Sequence, residues 1–117
     1  MRNKLIGRVT SPLIPFFTLF EVAFFWHHLW LTFILLMLTS AWAIYFSDNK
    51  VLVFYLWLSA SVGGPIAETF AIHFGAWHYA LPNHHATIPI WLAPCWGLAG
   101  VFFYNVSKRL ERILKQK

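Results

Sequence analysis

Charge is nearly absent from the body of this 117-residue chain, and that absence excludes more than any motif does. Between Val9 and Ser107 the only basic residue is Lys50, and the only acids are Glu21, Asp48 and Glu68. Charged residues make up 11% of the whole, against about 25% in a soluble domain. A water-soluble unit built this way would have too little polar surface to cover itself. The lack of basic residues in the apolar body also excludes a nucleic-acid-binding face. A single cysteine, Cys95, excludes an internal disulfide. No two histidines stand four apart, and no HExxH pattern occurs, so a helical zinc site of that kind is excluded. No small-x-small cleavage site follows the N-terminal basic and apolar residues, and Glu21 interrupts the apolar run. That stretch therefore reads as a retained span and not a signal peptide.

What is present is apolar: 59% of residues are hydrophobic and 20% aromatic. The net charge of +5 belongs to two ends. Arg2, Lys4 and Arg8 precede the apolar body; Lys108, Arg109, Arg112, Lys115 and Lys117 follow it. Basic segments flanking apolar spans face the cytoplasm and anionic lipid. Two such segments on one side require an even number of crossings.

A helix needs about 20 apolar residues to cross the hydrocarbon. Residues 51-77 and 87-105 each meet that length, separated by a turn-rich loop from Leu81 to Pro89. Ser11 to Phe46 is 36 residues long, about 54 Å as one helix and too long for a simple crossing. Split at His27-His28, it becomes 11-26 and 29-46. Poor turn chemistry at that point opposes the split, and the aromatic neighbourhood of Trp26 and Trp30 favours it. The expected fold is thus an all-α polytopic transmembrane bundle of four spans, forming one domain over residues 1-117. Three spans with an interfacial N-terminal helix is the alternative. Residues 106-117 form a basic amphipathic tail, with Val106, Leu110, Ile113 and Leu114 on one side. In this arrangement both termini are cytoplasmic, in the inner membrane if the cell is bacterial.

Glu68 is the strongest single signal. It falls well inside the third span, about 6 Å past its midpoint counted from Gly64. An ionisable group at that depth turns inward and is a candidate functional site. A carboxyl kept from water can stay neutral and donate a proton. Ser61, Gly64, Glu68, Ala71, Gly75 and Tyr79 recur at steps of three and four and form one helical stripe. Its small residues suit close helix packing. Gly63-Gly64-Pro65 predicts a kink or a break one turn before the acid. Tyr79, His78 and His73 are the candidates to assist Glu68 in proton transfer. Glu21, Trp77, Trp91 and Trp96 are the candidates to line a pocket for a ligand. The competing interpretation of these aromatics is an interfacial belt. The histidines, His27, His28, His73, His78, His84 and His85, gather toward the outward face without metal-ligand spacing, and no metal site is assigned. Cys95 reads as a packed thiol.

Glu68 followed by Gly75-x-Trp77-x-Tyr79 and a proline-containing loop resembles small membrane enzymes of isoprenoid and carotenoid metabolism. The likeness transfers no residue role. The leading expectation is a small membrane module that holds or modifies a lipid, isoprenoid or quinone near the outward face. An accessory subunit of a larger membrane complex and an oligomeric proton-coupled transporter are the alternatives. The expected partners are the bilayer, a hydrophobic small molecule, and copies of the chain or a larger complex. No cofactor is identified.

Overall fold

Seven polar side chains along the middle of this chain are buried, while many large apolar ones are exposed. The computed structural model describes residues 2–80 and 87–116, which form five α-helices and, among the described residues, no strand. These are α1 (Arg2–Thr10), α2 (Ile14–Phe25), α3 (Leu29–Tyr45), α4 (Lys50–His73) and α5 (Leu92–Lys115). The molecule measures 49 × 27 × 22 Å. Thr18, Glu21, Thr32, Thr39, Ser40, Ser61 and Glu68 are buried. Phe16, Leu19, Phe24, Ile66, Phe70 and Phe74 are among many large apolar side chains left exposed.

Proline separates α1 from α2. Pro12 has no N–H to donate and its ring crowds the preceding turn, and the helix ends before it. The chain bends by 53° there, and Pro15 sits in the first turn of α2, where a missing N–H costs nothing. The N-terminal basic segment, read from sequence as a tail, is therefore a helix of its own. Trp42 Nε1 donates to Thr10 Oγ1 at 3.1 Å. Gly7 meets the Phe46 carbonyl so closely that a side chain at that position would strike it.

The fold at His27-His28 falls where length and aromatics predict it. Its closing group comes from the next helix: the Thr32 hydroxyl donates to the Phe25 carbonyl at the end of α2. Orphan carbonyls at a helix end need such partners. Glu21 pairs with Thr39 and Thr10 with Trp42, so the α1–α2 arm and α3 run antiparallel. The link to α4 is short. Asn49 caps that helix by accepting from the Leu52 N–H at 3.1 Å.

Helices α4 and α5 form the tightest pair, also antiparallel. A Cβ at Gly64 would strike the Trp96 side chain, and one at Gly97 would strike Ser61 and Trp57. At Gly100 it would lie 2.8 Å from Ala60 Cβ. The small-residue seam expected on α4 thus depends as much on two glycines of α5. Trp57 Nε1 donates to Ser40 Oγ at 2.9 Å and ties α4 to α3.

Two sequence expectations for α4 change. The helix runs through Gly63-Gly64-Pro65 without interruption, so no half-helix begins there. Gly75 does not belong to the stripe. It lies past the helix end with φ +85°, its N–H bonded to the Ile72 carbonyl at 2.9 Å and that of Ala76 to Ala71 at 3.0 Å. That pattern is a Schellman cap.

Of the four expected spans, only α4 is long and apolar enough to cross a membrane by itself. Residues 11-26 are cut short by Pro12, and α1 with α2 meets the criterion only as one bent pair. α3 has 17 residues, and α5 carries charges through its second half. The loop from Leu81 to Ala86, with His84 and His85, lies outside the described residues.

Replacing Gly75 by Ala places a Cβ on a left-handed residue and should lower stability by about 1–2 kcal/mol; Asn, which tolerates that conformation, should cost less. Unfolding titrations of both variants in detergent measure the difference. Equal midpoints for Gly75→Ala and the parent chain would contradict the cap. Gly97→Ala should destabilise by about 1–3 kcal/mol through overpacking against Ser61 and Trp57.

Candidate functional site

The cap at Gly75 reverses the chain after α4 and returns Tyr79 to the helix it has just left. Its hydroxyl donates to Glu68 Oε1 at 2.5 Å. From the other side Trp96, near the start of α5, donates its indole N–H to Glu68 Oε2. Gly64 leaves the space that the Trp96 ring occupies. Both carboxyl oxygens are thus held by aromatic donors, one 11 and one 28 residues away in sequence. Trp91 packs edge to face on Tyr79, with ring centroids 6.2 Å apart. Glu68 is 9% exposed, with these rings as its cover.

This geometry restricts where a proton can sit. An indole N–H only donates, so Oε2 is kept as an acceptor. Oε1 faces a phenol, a group that can both donate and accept a hydrogen bond. Tyr79 is itself only partly buried. Burial, reinforced by the hydrogen bond and the charge of Glu68, pushes the Tyr79 phenol above its ordinary value.

The remaining candidates separate into two groups. Trp91 and Trp96 lie at the carboxyl with Tyr79. Trp77 is exposed, as are His73 and His78, and neither histidine is bonded to Glu68 among the described residues. His73 lies edge-on to Phe74, 5.3 Å between ring centroids. Among the described residues no group of three or more His, Cys, Asp or Glu is placed to hold a metal ion.

Glu21 forms a second buried acid, on the α2–α3 side. Its Oε1 accepts from Thr39 Oγ1 at 2.6 Å, while Oε2 is buried without a partner. Cys95, read from sequence as a packed thiol, is a partly buried free thiol on α5. Thr39 as the partner of Glu21 escapes sequence reading. The two come from different helices, and only the bundle brings them near.

Three cavities have walls on the described residues. One of 280 Å³ lies where the two basic segments meet. One of 490 Å³ is an apolar groove between α2 and α5, and one of 360 Å³ lies between α2 and α3. Glu68 lines none of these three. No family model matches the chain, and no curated protein or solved structure matches it either.

If Tyr79 satisfies a buried carboxyl, Tyr79→Phe strands Oε1 and should lower stability by about 1–3 kcal/mol. In a double-mutant cycle with Glu68→Leu the loss should be markedly non-additive; strict additivity would contradict the contact. The raised phenol also sets an alkaline limit. The folded chain keeps a proton that the unfolded chain releases near pH ~10. Stability is therefore intact below that pH and lost as pH rises through the folded value. Stability curves of the parent chain and Tyr79→Phe should differ in slope only above pH ~10, the variant being the flatter.

Proposed function

We propose that this chain is a four-crossing membrane protein that holds a hydrophobic ligand, a lipid, isoprenoid or quinone, against Glu68 and uses that carboxyl as its polar anchor or proton donor. The observation that carries the reading is the clasped acid: one carboxyl, buried at the seam of α4 and α5, with a part-exposed phenol bonded to it. A protein that needed Glu68 only for packing could fill that space with an apolar side chain at less cost.

Several features support the membrane part. Seven polar side chains of α2, α3 and α4 are buried while many large apolar side chains are exposed, the arrangement suited to lipid. Lys4 and Arg8 line the same cavity as Lys108, Arg109 and Arg112, so the two basic segments share one end, in keeping with an even number of crossings. At 1.5 Å per residue α3 is about 26 Å long, a little short of a hydrocarbon core of about 30 Å. A bilayer accommodates such a mismatch by thinning or by its flanking residues. The molecule's 49 Å length is close to the full bilayer with headgroups, about 40–45 Å.

The accessory-subunit reading draws on the same clasp. Both oxygens of Glu68 are already occupied by the chain's own donors, which leaves a ligand to displace one of them. The transporter reading keeps one of its two motives: the buried acid Glu68 remains, while the break expected at Gly63-Gly64-Pro65 is a continuous helix.

Purification in mild detergent, followed by solvent extraction and mass analysis, tests the proposal. A specific apolar compound should co-purify with the parent chain and be lost, or left unmodified, in Glu68→Gln. Protein that carries no compound beyond bulk lipid and migrates only with larger partners would support the subunit reading instead.

A further inference from the structure

The bend at Pro12 brings α1 back across the end of α3, and α5 continues past the bundle to the same place. Between them lies the 280 Å³ cavity, and five cations stand on its wall: Lys4, Arg8, Lys108, Arg109 and Arg112. Asp48 is the sole carboxylate on that wall, so the lining has a formal charge of +4. Among the described residues no salt bridge engages Lys4, Arg8, Arg109 or Arg112. Lys108 has a partner in Glu111 at 3.9 Å, which is not part of the wall. Like charges gathered in one concavity repel, and an anion there relieves the repulsion.

The cavity does not end in solvent alone. Ser11, Asn105 and Arg109 also line the 490 Å³ groove between α2 and α5, and Arg109 Nη2 reaches Ser11 Oγ at 3.4 Å where the two meet. Beyond that junction the groove is walled by Phe16, Leu19, Leu98, Ala99 and Phe102 and reaches Cys95. From Arg109 to Cys95 along α5 is roughly 21 Å at 1.5 Å per residue. A cationic cup opening into an apolar channel of that length matches an amphiphile with a negative phosphate head and one long chain.

We propose that the junction of α1, α2 and α5 is a binding site for one anionic phospholipid, with its phosphate among Arg8, Arg109 and Arg112 and an acyl chain in the α2–α5 groove. Phosphate recognition suits guanidinium groups, which donate in a planar fork. The site is separate from Glu68 and does not depend on the function proposed there.

Native mass spectrometry of the full chain in neutral detergent tests it. The probes are phosphatidylglycerol, phosphatidylcholine with the same acyl chains, and inorganic phosphate. One phosphatidylglycerol should be retained per chain, with phosphatidylcholine retained about tenfold less or worse. Arg8→Gln with Arg109→Gln should weaken retention about tenfold or more, whereas Arg2→Gln with Lys115→Gln, outside the cavity, should not. Ala99→Phe fills the groove and keeps every cation; it should lower phosphatidylglycerol retention while circular dichroism shows the helices intact. Equal retention of the two lipids, or full retention by both the Arg8/Arg109 and the Ala99 variants, would overturn the proposal. Displacement of phosphatidylglycerol by an equal concentration of inorganic phosphate would overturn it too, by showing a bare anion site without a place for the chain.

Discussion

The close approach of α4 and α5 is the constraint from which the rest of the structure follows. Gly64, Gly97 and Gly100 bring two backbones together, Gly97 leaving room for the Trp57 ring and Gly64 for that of Trp96. The Trp96 N–H then reaches Glu68, and a carboxyl that would otherwise be buried and unsatisfied is held from one side. Tyr79 holds it from the other only because Gly75 turns the chain back after α4. An unpaired acid away from water is costly by several kcal/mol, so seam, cap and donors stand or fall together.

The same logic extends through the interior. Thr39 holds one oxygen of Glu21, Ser40 receives the Trp57 indole, and Thr32 closes the end of α2. Each is a short hydroxyl or an indole that finds a partner on another helix or turn. Such bonds give direction to contacts between surfaces that are otherwise uniformly apolar. In lipid, where apolar packing alone discriminates little between helix pairings, directional bonds and small-residue seams select the arrangement.

Much of this was legible in the residues. The all-α class, the inward turn of Glu68, the fold at His27-His28 and the gathering of basic charge at two chain segments follow from hydropathy, length and charge. What was not legible depends on partners remote in sequence. The pairing of Trp96 with Glu68 spans 28 residues, and nothing local in the stretch around Trp96 distinguishes a hydrogen-bond donor from a belt residue. The turn at His27-His28 looks poor by local chemistry because its closing group, Thr32, belongs to the following helix. Gly75 was drawn into a packing stripe by its spacing, although a glycine just past the last periodic residue is also a stop signal. Gly63-Gly64-Pro65 reads as a kink or a break, and of the two the break is absent: α4 runs through Pro65 with one donor lost. The basic N-terminal segment reads as a tail because its charges obscure its helical period; Gly7 against Phe46 and Trp42 on Thr10 show how it docks.

The indole N–H resonance of Trp96 reports the central contact most directly. Nitrogen-labelled tryptophan gives one such signal for each of the seven tryptophans, and Trp96→Phe assigns the one concerned. Bonded to a buried carboxyl, that proton should resonate downfield of the others and exchange slowest with solvent. Glu68→Gln should move it upfield, with the other indole signals largely in place. A Trp96 signal at an ordinary position, indifferent to the residue at 68, would contradict the clasp and the account built on it.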